Sequence, residues 1–383
     1  MATKIIGDTY DVGVIGGGVF GLATALELAK RGRKTVLFDR LGSGHPVTSS
    51  TGLSRSIRIA YDQPFYVGLA QEALRSWRSL ERKTGRAILH LTGQIDLGPP
   101  AKLQAIHETV RAAGGAIRDA DATELRRLMP ELNPRPGEIG LFHADGGTVL
   151  AEQGMLALAA AASRAGAMLC QTERVIAIDL DGAHPRLVTA QRAITAERIV
   201  IAAGPWSNEL LAQIGLDLPL APSVAQVTFL DAPLQVDRPG IAEWETSAAG
   251  GVYGHPVPGI GYKIAFDAGS IGWDGDITDW AFDGDEERRI LDWLRDRVPG
   301  LPARAKYSQR HPWTMTPDAD FVVDNHGPVT LACGCSGHAF KFGPALGRLV
   351  ADIIDGRTHP VELRLDRPGL KDSKASATAP IVR

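Results

Sequence analysis

Three cysteines in 383 residues, Cys170, Cys333 and Cys335, are too few for a disulfide framework and point to a reducing, cytoplasmic setting. Neither sign of charge is in surplus. Against 41 basic residues stand 44 acidic ones, a net charge of -3, so the basic excess of a nucleic-acid binder is absent. No apolar run is long enough to enter a membrane: the stretch from Val12 to Ala29 is broken by adjacent glycines and carries Glu27. The N-terminal apolar run lacks the cationic start and small-residue cleavage site of a secretory leader, and the chain ends Ile-Val-Arg, which is no peroxisomal address. Internal repeats and low-complexity segments are missing. Cys333 and Cys335 are too few and too close for a metal site, so no metal is expected; they read as two small apolar residues on one face of a strand.

What is present is ordinary globular composition, 44% hydrophobic and 22% charged, with length for about two domains. The informative segment comes first. Asp11 to Ile15 is a short apolar run suited to a buried parallel strand. Gly16, Gly18 and Gly21 follow in G-x-G-x-x-G spacing. Leu22, Ala25, Leu26 and Ala29 then recur on one helical face, Gly32 marks the stop, and a second apolar run ends in Asp39. In such a β–turn–α–β unit the first glycine permits the turn, the second lets backbone approach a pyrophosphate, and the third lets helix pack on strand. The helix opening at Val19 and Phe20 offers its N–H groups and positive dipole end to the phosphates. Asp39, 21 residues past Gly18, stands where a carboxylate meets the ribose hydroxyls of an adenosine. An acid there disfavours a 2′-phosphate, leaving NAD or FAD.

Farther on, Tyr66, Leu69, Ala73, Leu74, Trp77 and Leu80 share a helical face ended by Gly85, a core stripe rather than a ligand site. Asp121 and Glu124 form a capping box, and Pro130 stops that helix. Residues 151–165 predict a helix, 173–180 and 185–201 strands, and the last of these runs into small residues at Ala203 and Gly204, as beneath a bound ligand. Residues 220–270 carry short β-rich runs with frequent breakers and predict a sheet. Asp285 to Val298 predicts a helix with Ile290, Leu291, Trp293 and Leu294 inward. Phe321 to Asp324 and Val329 to Ala332 predict strands, and Leu346 to Ile354 a helix. The expected fold is α/β plus α+β. A discontinuous Rossmann-like nucleotide-binding domain takes residues 1–90, 145–215 and 316–370. An inserted antiparallel-sheet substrate domain takes 91–144 and 216–315, and 371–383 form a flexible tail.

From Ser49 to Tyr61 the chain reads Ser-Ser-Thr-Gly-Leu-Ser-Arg-Ser-Ile-Arg-Ile-Ala-Tyr. With Gly204-Pro205-Trp206-Ser207, Thr316-Pro317-Asp318 and Gly337-His338-Ala339-Phe340-Lys341-Phe342, this resembles the monomeric sarcosine oxidase family, within the glycine and D-amino-acid oxidase superfamily. The likeness runs from about residue 9 to about residue 369. It implies bound FAD and oxidation of a C–N bond beside a carboxylate. Arg58 and Lys341 match the residues that hold the substrate carboxylate, and Arg55 one that sits over the flavin. Lys263 matches the lysine near flavin N5 that promotes reaction with oxygen, and Tyr253 an active-site tyrosine. Implied cofactor contacts are Gly16, Gly18, Val19, Phe20, Gly21, Asp39, Arg40, Ser50, Thr51, Val175, Ala203, Gly204, Trp206, Gly337, His338, Phe340 and Lys341, with Val175 meeting adenine through its backbone.

Four positions depart from the sarcosine-type pattern. A cysteine that bonds the flavin falls at His311, an active-site tyrosine at Trp313, and two active-site histidines at Thr51 and Asp267. The first change implies FAD held without a covalent bond, a histidyl bond at His311 being the alternative. The others imply a substrate other than sarcosine, larger or more basic, with Trp313 and Thr51 among its contacts. Asp267, four residues past Lys263 on the same strand face, would pair with that lysine or greet a second cationic group. An arginine fork grips a carboxylate by two parallel hydrogen bonds while a lysine adds a point charge. Clustered cations would also lower the pKa of a bound amine, favouring the uncharged form that can lose hydride. The expected activity is an FAD-dependent oxidase of an N-substituted or secondary amino acid, giving imine and then hydrogen peroxide from O2. The alternatives are a dehydrogenase that passes electrons to a quinone or carrier protein, and a non-catalytic flavin-binding subunit.

Overall fold

The computed structural model describes residues 8–232, 236–247, 250–267, 271–273 and 282–371. Its first layer is an eight-stranded sheet. Thr9–Ile15 runs parallel between Thr35–Asp39 and Ala193–Ile201, and these are flanked in turn by the parallel strands Met168–Gln171 and Val329–Cys333. The strands are apolar on both faces because both faces are covered. Val12, Val14 and Leu37 join the core under helices Val19–Lys30 and Gly343–Ile354, while Ile15, Val36 and Phe38 join a second core on the opposite side.

The second layer is a nine-stranded sheet built around long antiparallel strands, Ala221–Leu230 paired with Ala305–Met315, and Gly250–Val257 between Gly261–Phe266 and Gly240–Ser247. Gln94–Leu97 extends it, parallel to Gly240–Ser247. Alternation decides the two faces. Ile95, Leu97, Ile241, Tyr262, Ile264 and Phe266 point into a core beneath helix Gly284–Arg297. The intervening residues, among them Asp96, Ala242, Trp244 and Lys263, turn toward the first layer. A three-stranded sheet, Ser54–Ile57, Gly147–Leu150 and Leu89–His90, lies at the junction. Strands from residues 91–144 and 216–315 all belong to the nine-stranded sheet. Those from 1–90, 145–215 and 316–370 belong to the other two.

Several expectations need correction. The predicted strand 185–201 is two strands, Arg186–Thr189 and Ala193–Ile201, folded back on each other. The reversal lacks glycine or proline; the Thr189 hydroxyl makes it by accepting from the Gln191 and Arg192 amides at 3.1 and 3.0 Å. Cys333 ends its strand, but Cys335 lies beyond Gly334 (φ +65°) in the following turn, where its Sγ accepts from the Thr314 amide. In helix Gly284–Arg297, Ile290 and Leu294 are buried while Leu291 and Trp293 are only partly so; Glu286 and Arg297 take the remaining inward positions. Helix Pro64–Thr84 has the expected stripe and ends at Gly85 in the left-handed conformation. Of the predicted tail 371–383, only Lys371 lies within the described residues.

Candidate active site

The glycine-rich loop is shaped by what cannot fit there. Gly16 has φ +108°, and a Cβ on it would stand 2.3 Å from the Ala202 carbonyl oxygen; one on Gly21 would stand 1.8 Å from the Gly16 oxygen. Strand, turn and helix therefore close together only with glycine at both positions. Asp39 holds the loop from the next strand: its Oδ2 accepts from the Gly17 amide at 2.6 Å, and its Oδ1 from the Leu41 and Gly42 amides at 3.0 and 2.6 Å. Helix Val19–Lys30 has no side-chain cap of its own. The Ser50 hydroxyl supplies one from outside, accepting from the Val19 amide at 3.0 Å.

A cleft of about 1380 Å³ begins at this loop. Gly16, Gly18, Asp39 and Arg40 line one end, Val175, Ala203, Gly204 and Trp206 its flank, and Lys263, His311 and Trp313 the far end. The Arg40 guanidinium lies over the Trp206 ring, 4.8 Å from its centre. Burial, with Arg55 and Lys263 nearby, holds His311 well below the ordinary histidine range, so its imidazole is neutral. Three buried polar atoms of residues in this wall, Ser49 Oγ, His311 Nδ1 and Trp313 Nε1, have no hydrogen-bond partner among the described residues. Such atoms suit a wall whose partner is a polar ligand.

A second cavity, about 710 Å³, opens between the layers and contains Arg58, Lys341, Trp244, Asp267, Gln94 and His338 in its lining. Five residues, Arg55, Tyr253, Lys263, Gly337 and Phe340, line both spaces, so the two meet there. Arg55 is fixed at that junction by three carbonyls, donating to Ser49, Thr51 and Ser54 at 2.9, 2.6 and 2.8 Å. Lys263 Nζ donates to the Ser54 oxygen and Lys341 Nζ to the His338 oxygen, each at 2.8 Å. The Trp77 indole in turn donates to the Lys341 carbonyl at 2.8 Å, pinning the loop that carries this lysine.

Arg58 and Lys341 are 8% and 6% exposed, yet among the described residues neither has an acidic partner within ion-pair distance. Burial, reinforced by Arg58, pushes Lys341 well below the ordinary lysine range, and burial with Arg55 does the same to Lys263. A carboxylate beside either amine would favour its charged form again. The Tyr253 hydroxyl is raised to about 12, chiefly by burial, and stays a neutral donor.

Other expectations differ in detail. Thr51 lines neither cavity: its hydroxyl donates to the Gly44 carbonyl at 3.1 Å, and only its own carbonyl reaches the site, through Arg55. Trp313 lines the larger cleft rather than the space around Arg58, and Lys341 lines the smaller one rather than the cleft. Asp267 follows the end of strand Gly261–Phe266 and makes no ion pair with Lys263. It lines the Arg58 cavity and acts electrostatically on Tyr253. Val19 and Phe20 line the cleft as expected, whereas Gly21 acts from behind by letting the helix close. Sequence reasoning missed Trp244, whose ring centre lies 4.4 Å from the Arg58 guanidinium, and Tyr61, at 4.7 Å on the same group. The available signal was an aromatic between two glutamates on a predicted strand.

A family model described as FAD dependent oxidoreductase (DAO) matches residues 11–353. The chain is 32% identical to the monomeric sarcosine oxidase of Streptomyces avermitilis over 97% of its own length and 99% of that protein's. It is 29% identical to the monomeric sarcosine oxidase of a Bacillus species, covering 96% and 99%. Among solved structures, glycine oxidase from Geobacillus kaustophilus shares the fold with a TM-score of 0.78 at 23% identity, covering 95% and 99%.

Proposed function

The chain belongs to the DAO family of FAD dependent oxidoreductases, and from that premise we propose that it oxidises the C–N bond of an amino acid, by preference an N-substituted or secondary one, with O2 as electron acceptor. Bound FAD supplies a two-electron acceptor that takes a hydride equivalent from carbon. The residues present suit that group. The Gly16–Val19 loop and helix N-terminus would hold its pyrophosphate, and Asp39 its adenosine ribose. Ser49, His311 and Trp313 would meet its polar edges, and Lys263 and Arg55 would stand beside its reacting ring. His311, at the position where the sarcosine-type pattern has its flavin-bonding cysteine, supports a cofactor held without a covalent bond.

One observation carries the reading. Two buried basic side chains, Arg58 and Lys341, which among the described residues have no carboxylate within ion-pair distance, line a space that joins the cleft at Arg55, Lys263, Tyr253, Gly337 and Phe340. A carboxylate fixed by Arg58 and Lys341 would leave its neighbouring C–H directed at that junction, and such positioning can remove several kcal/mol from the barrier. Charging Lys341 beside Arg58 disfavours a protonated amine, so the amine binds with its lone pair free. The balance is simple. The amine gives up two electrons and two protons and becomes an imine, which takes up water; O2 receives both electrons and both protons and leaves as H2O2.

The test is peroxide release under air across N-methyl amino acids, cyclic imino acids, D-amino acids, glycated amino acids and diamino acids, alongside anaerobic bleaching of the yellow protein. Bleaching with peroxide supports an oxidase. Bleaching without peroxide would move the acceptor to a quinone or carrier, and no bleaching by any amino acid would overturn the reading. Acid precipitation should leave the yellow colour in the supernatant; colour in the pellet would indicate a histidyl bond.

A further inference from the structure

Arg58 is held in an unusual way. Its hydrogen bond to the backbone is a long one, from Nη1 to the Ala60 carbonyl at 3.4 Å, and it also acts on the Tyr61 hydroxyl by charge and hydrogen bonding. The guanidinium lies against a pair of aromatic rings, Tyr61 at 4.7 Å and Trp244 at 4.4 Å. Trp244 is 1% exposed and carries a second cation, Lys102, 5.2 Å from its centre; that lysine is tied to Asp62 at 2.6 Å. The orientation of the indole therefore sets the direction of the guanidinium.

The indole has one polar atom, and it is anchored. Trp244 Nε1 donates to Asp96 Oδ1 at 3.2 Å. Asp96 is wholly buried on strand Gln94–Leu97, opposite Ala242 on one side and Leu141 on the other. Its second oxygen lies 3.6 Å from Nε2 of the equally buried His143. Neither Asp96 nor His143 lines the cavity that Arg58 and Trp244 share. A buried carboxylate with this little polar company is a costly feature for a strand that would otherwise be apolar, and its placement behind the indole gives it a use.

We propose that Asp96 is a positioning residue for carboxylate recognition: by holding the Trp244 N–H it fixes the ring against which Arg58 lies, and so aims the guanidinium at the substrate carboxylate. The inference rests on the reading of Arg58 as the carboxylate anchor. It does not require turnover.

The experiment titrates benzoate, and benzamide as its uncharged counterpart, onto the FAD-loaded protein, following the change in flavin absorption. Asp96→Ala should weaken benzoate about tenfold or more, the order expected for loss of an oriented charge-assisted contact, while benzamide changes by less than about threefold. Asp96→Asn keeps an acceptor for the indole and should retain benzoate affinity within about threefold. Trp244→Phe removes the N–H and leaves a smaller aromatic ring, so it should weaken benzoate at least as much as Asp96→Ala, and the double variant should lose no more than Trp244→Phe alone. Equal losses for benzoate and benzamide would overturn the proposal. So would Asn behaving as Ala, or additive effects in the double variant. If no amino acid bleaches the flavin but the benzoate–benzamide split appears, the functional reading fails and this inference stands. If bleaching proceeds and the split is absent, only this inference fails.

Discussion

Lys263 Nζ donates to the Ser54 carbonyl across 2.8 Å, joining an interior strand of the nine-stranded sheet to the strand that carries Arg55. That bond holds at the junction of the two cavities an amine whose pKa burial and Arg55 push well below the ordinary lysine range, and negative charge developing in the cleft would favour its protonation. Removing such a preorganised group costs about 10² to 10³ in rate. Lys263→Met should therefore lower turnover under air by about that factor, while anaerobic bleaching by substrate survives. Stopped-flow measurement of the two half-reactions separates them; equal losses in both would assign the lysine to substrate binding instead.

Lys341 gives a pH prediction with a definite sign. Its pKa lies well below the ordinary lysine range, burial being the main cause and Arg58 the second. A bound carboxylate raises it again. Between these two values, binding takes up a proton, so the affinity for a carboxylate falls as pH rises through that window and levels off above it. Calorimetry in buffers of different ionisation enthalpy across the pH range should show a window in which the wild type takes up a proton on binding and Lys341→Met does not. The same variant should bind a carboxylate about 10-fold or more weakly, as expected for loss of a charge-assisted hydrogen bond.

The glycine spacing, the strand before it and Asp39 made the nucleotide layer legible, because close backbone approach admits few residue types. The paired cations Arg58 and Lys341 were legible only through resemblance, since 283 residues of chain separate them. Gln-Ile-Asp-Leu at 94–97 shows why the rest was hidden. Period-two alternation says that Gln94 and Asp96 share a face, but not whether that face meets water or a second layer. Here it meets a second layer, so an apparent solvent face became the wall behind the site. Thr51 was misjudged for a related reason: a small polar residue in a loop can use its carbonyl inward and its hydroxyl outward.

Asp39 organises the loop through three backbone amides as well as lining the cleft. Asp39→Ala removes both acceptor oxygens and leaves the Gly17, Leu41 and Gly42 amides without them. Each orphaned buried donor costs about 1–3 kcal/mol, so the purified variant should retain little flavin, with FAD affinity lower by at least about tenfold. Absorbance at the flavin band, compared with protein content, checks this. Full retention would mean that the loop keeps its shape without the carboxylate.

Asp267 lines the cavity of Arg58 and Lys341 on the side of Tyr253. A carboxylate there favours a substrate with a second positive group. Asp267→Ala should lower kcat/KM for diamino acids relative to neutral N-methyl amino acids by about 5-fold or more, the scale of one partly solvated charge pair. An unchanged ranking would reduce Asp267 to a structural carboxylate.

Asp96 and His143 make opposing contributions to stability. Burial raises Asp96 from 3.8 to about 7, against the pull of Arg58 and the Trp244 N–H, and burial with Arg58 lowers His143 from 6.5 to about 3. Between pH 4 and 6.5 the folded protein thus carries one proton on Asp96 that the unfolded chain lacks, and lacks one on His143 that the unfolded chain carries. The two slopes cancel. Asp96→Asn removes the first and leaves the second, so the unfolded variant binds more protons and its stability rises with pH across this range. The limiting slope is about 1.4 kcal/mol per pH unit. Urea unfolding at pH 4.5 and 6.5 should therefore show a steeper acid loss in Asp96→Asn than in the wild type, by up to about 3 kcal/mol over the interval. Parallel pH profiles would mean that Asp96 carries no proton in the folded protein across that range.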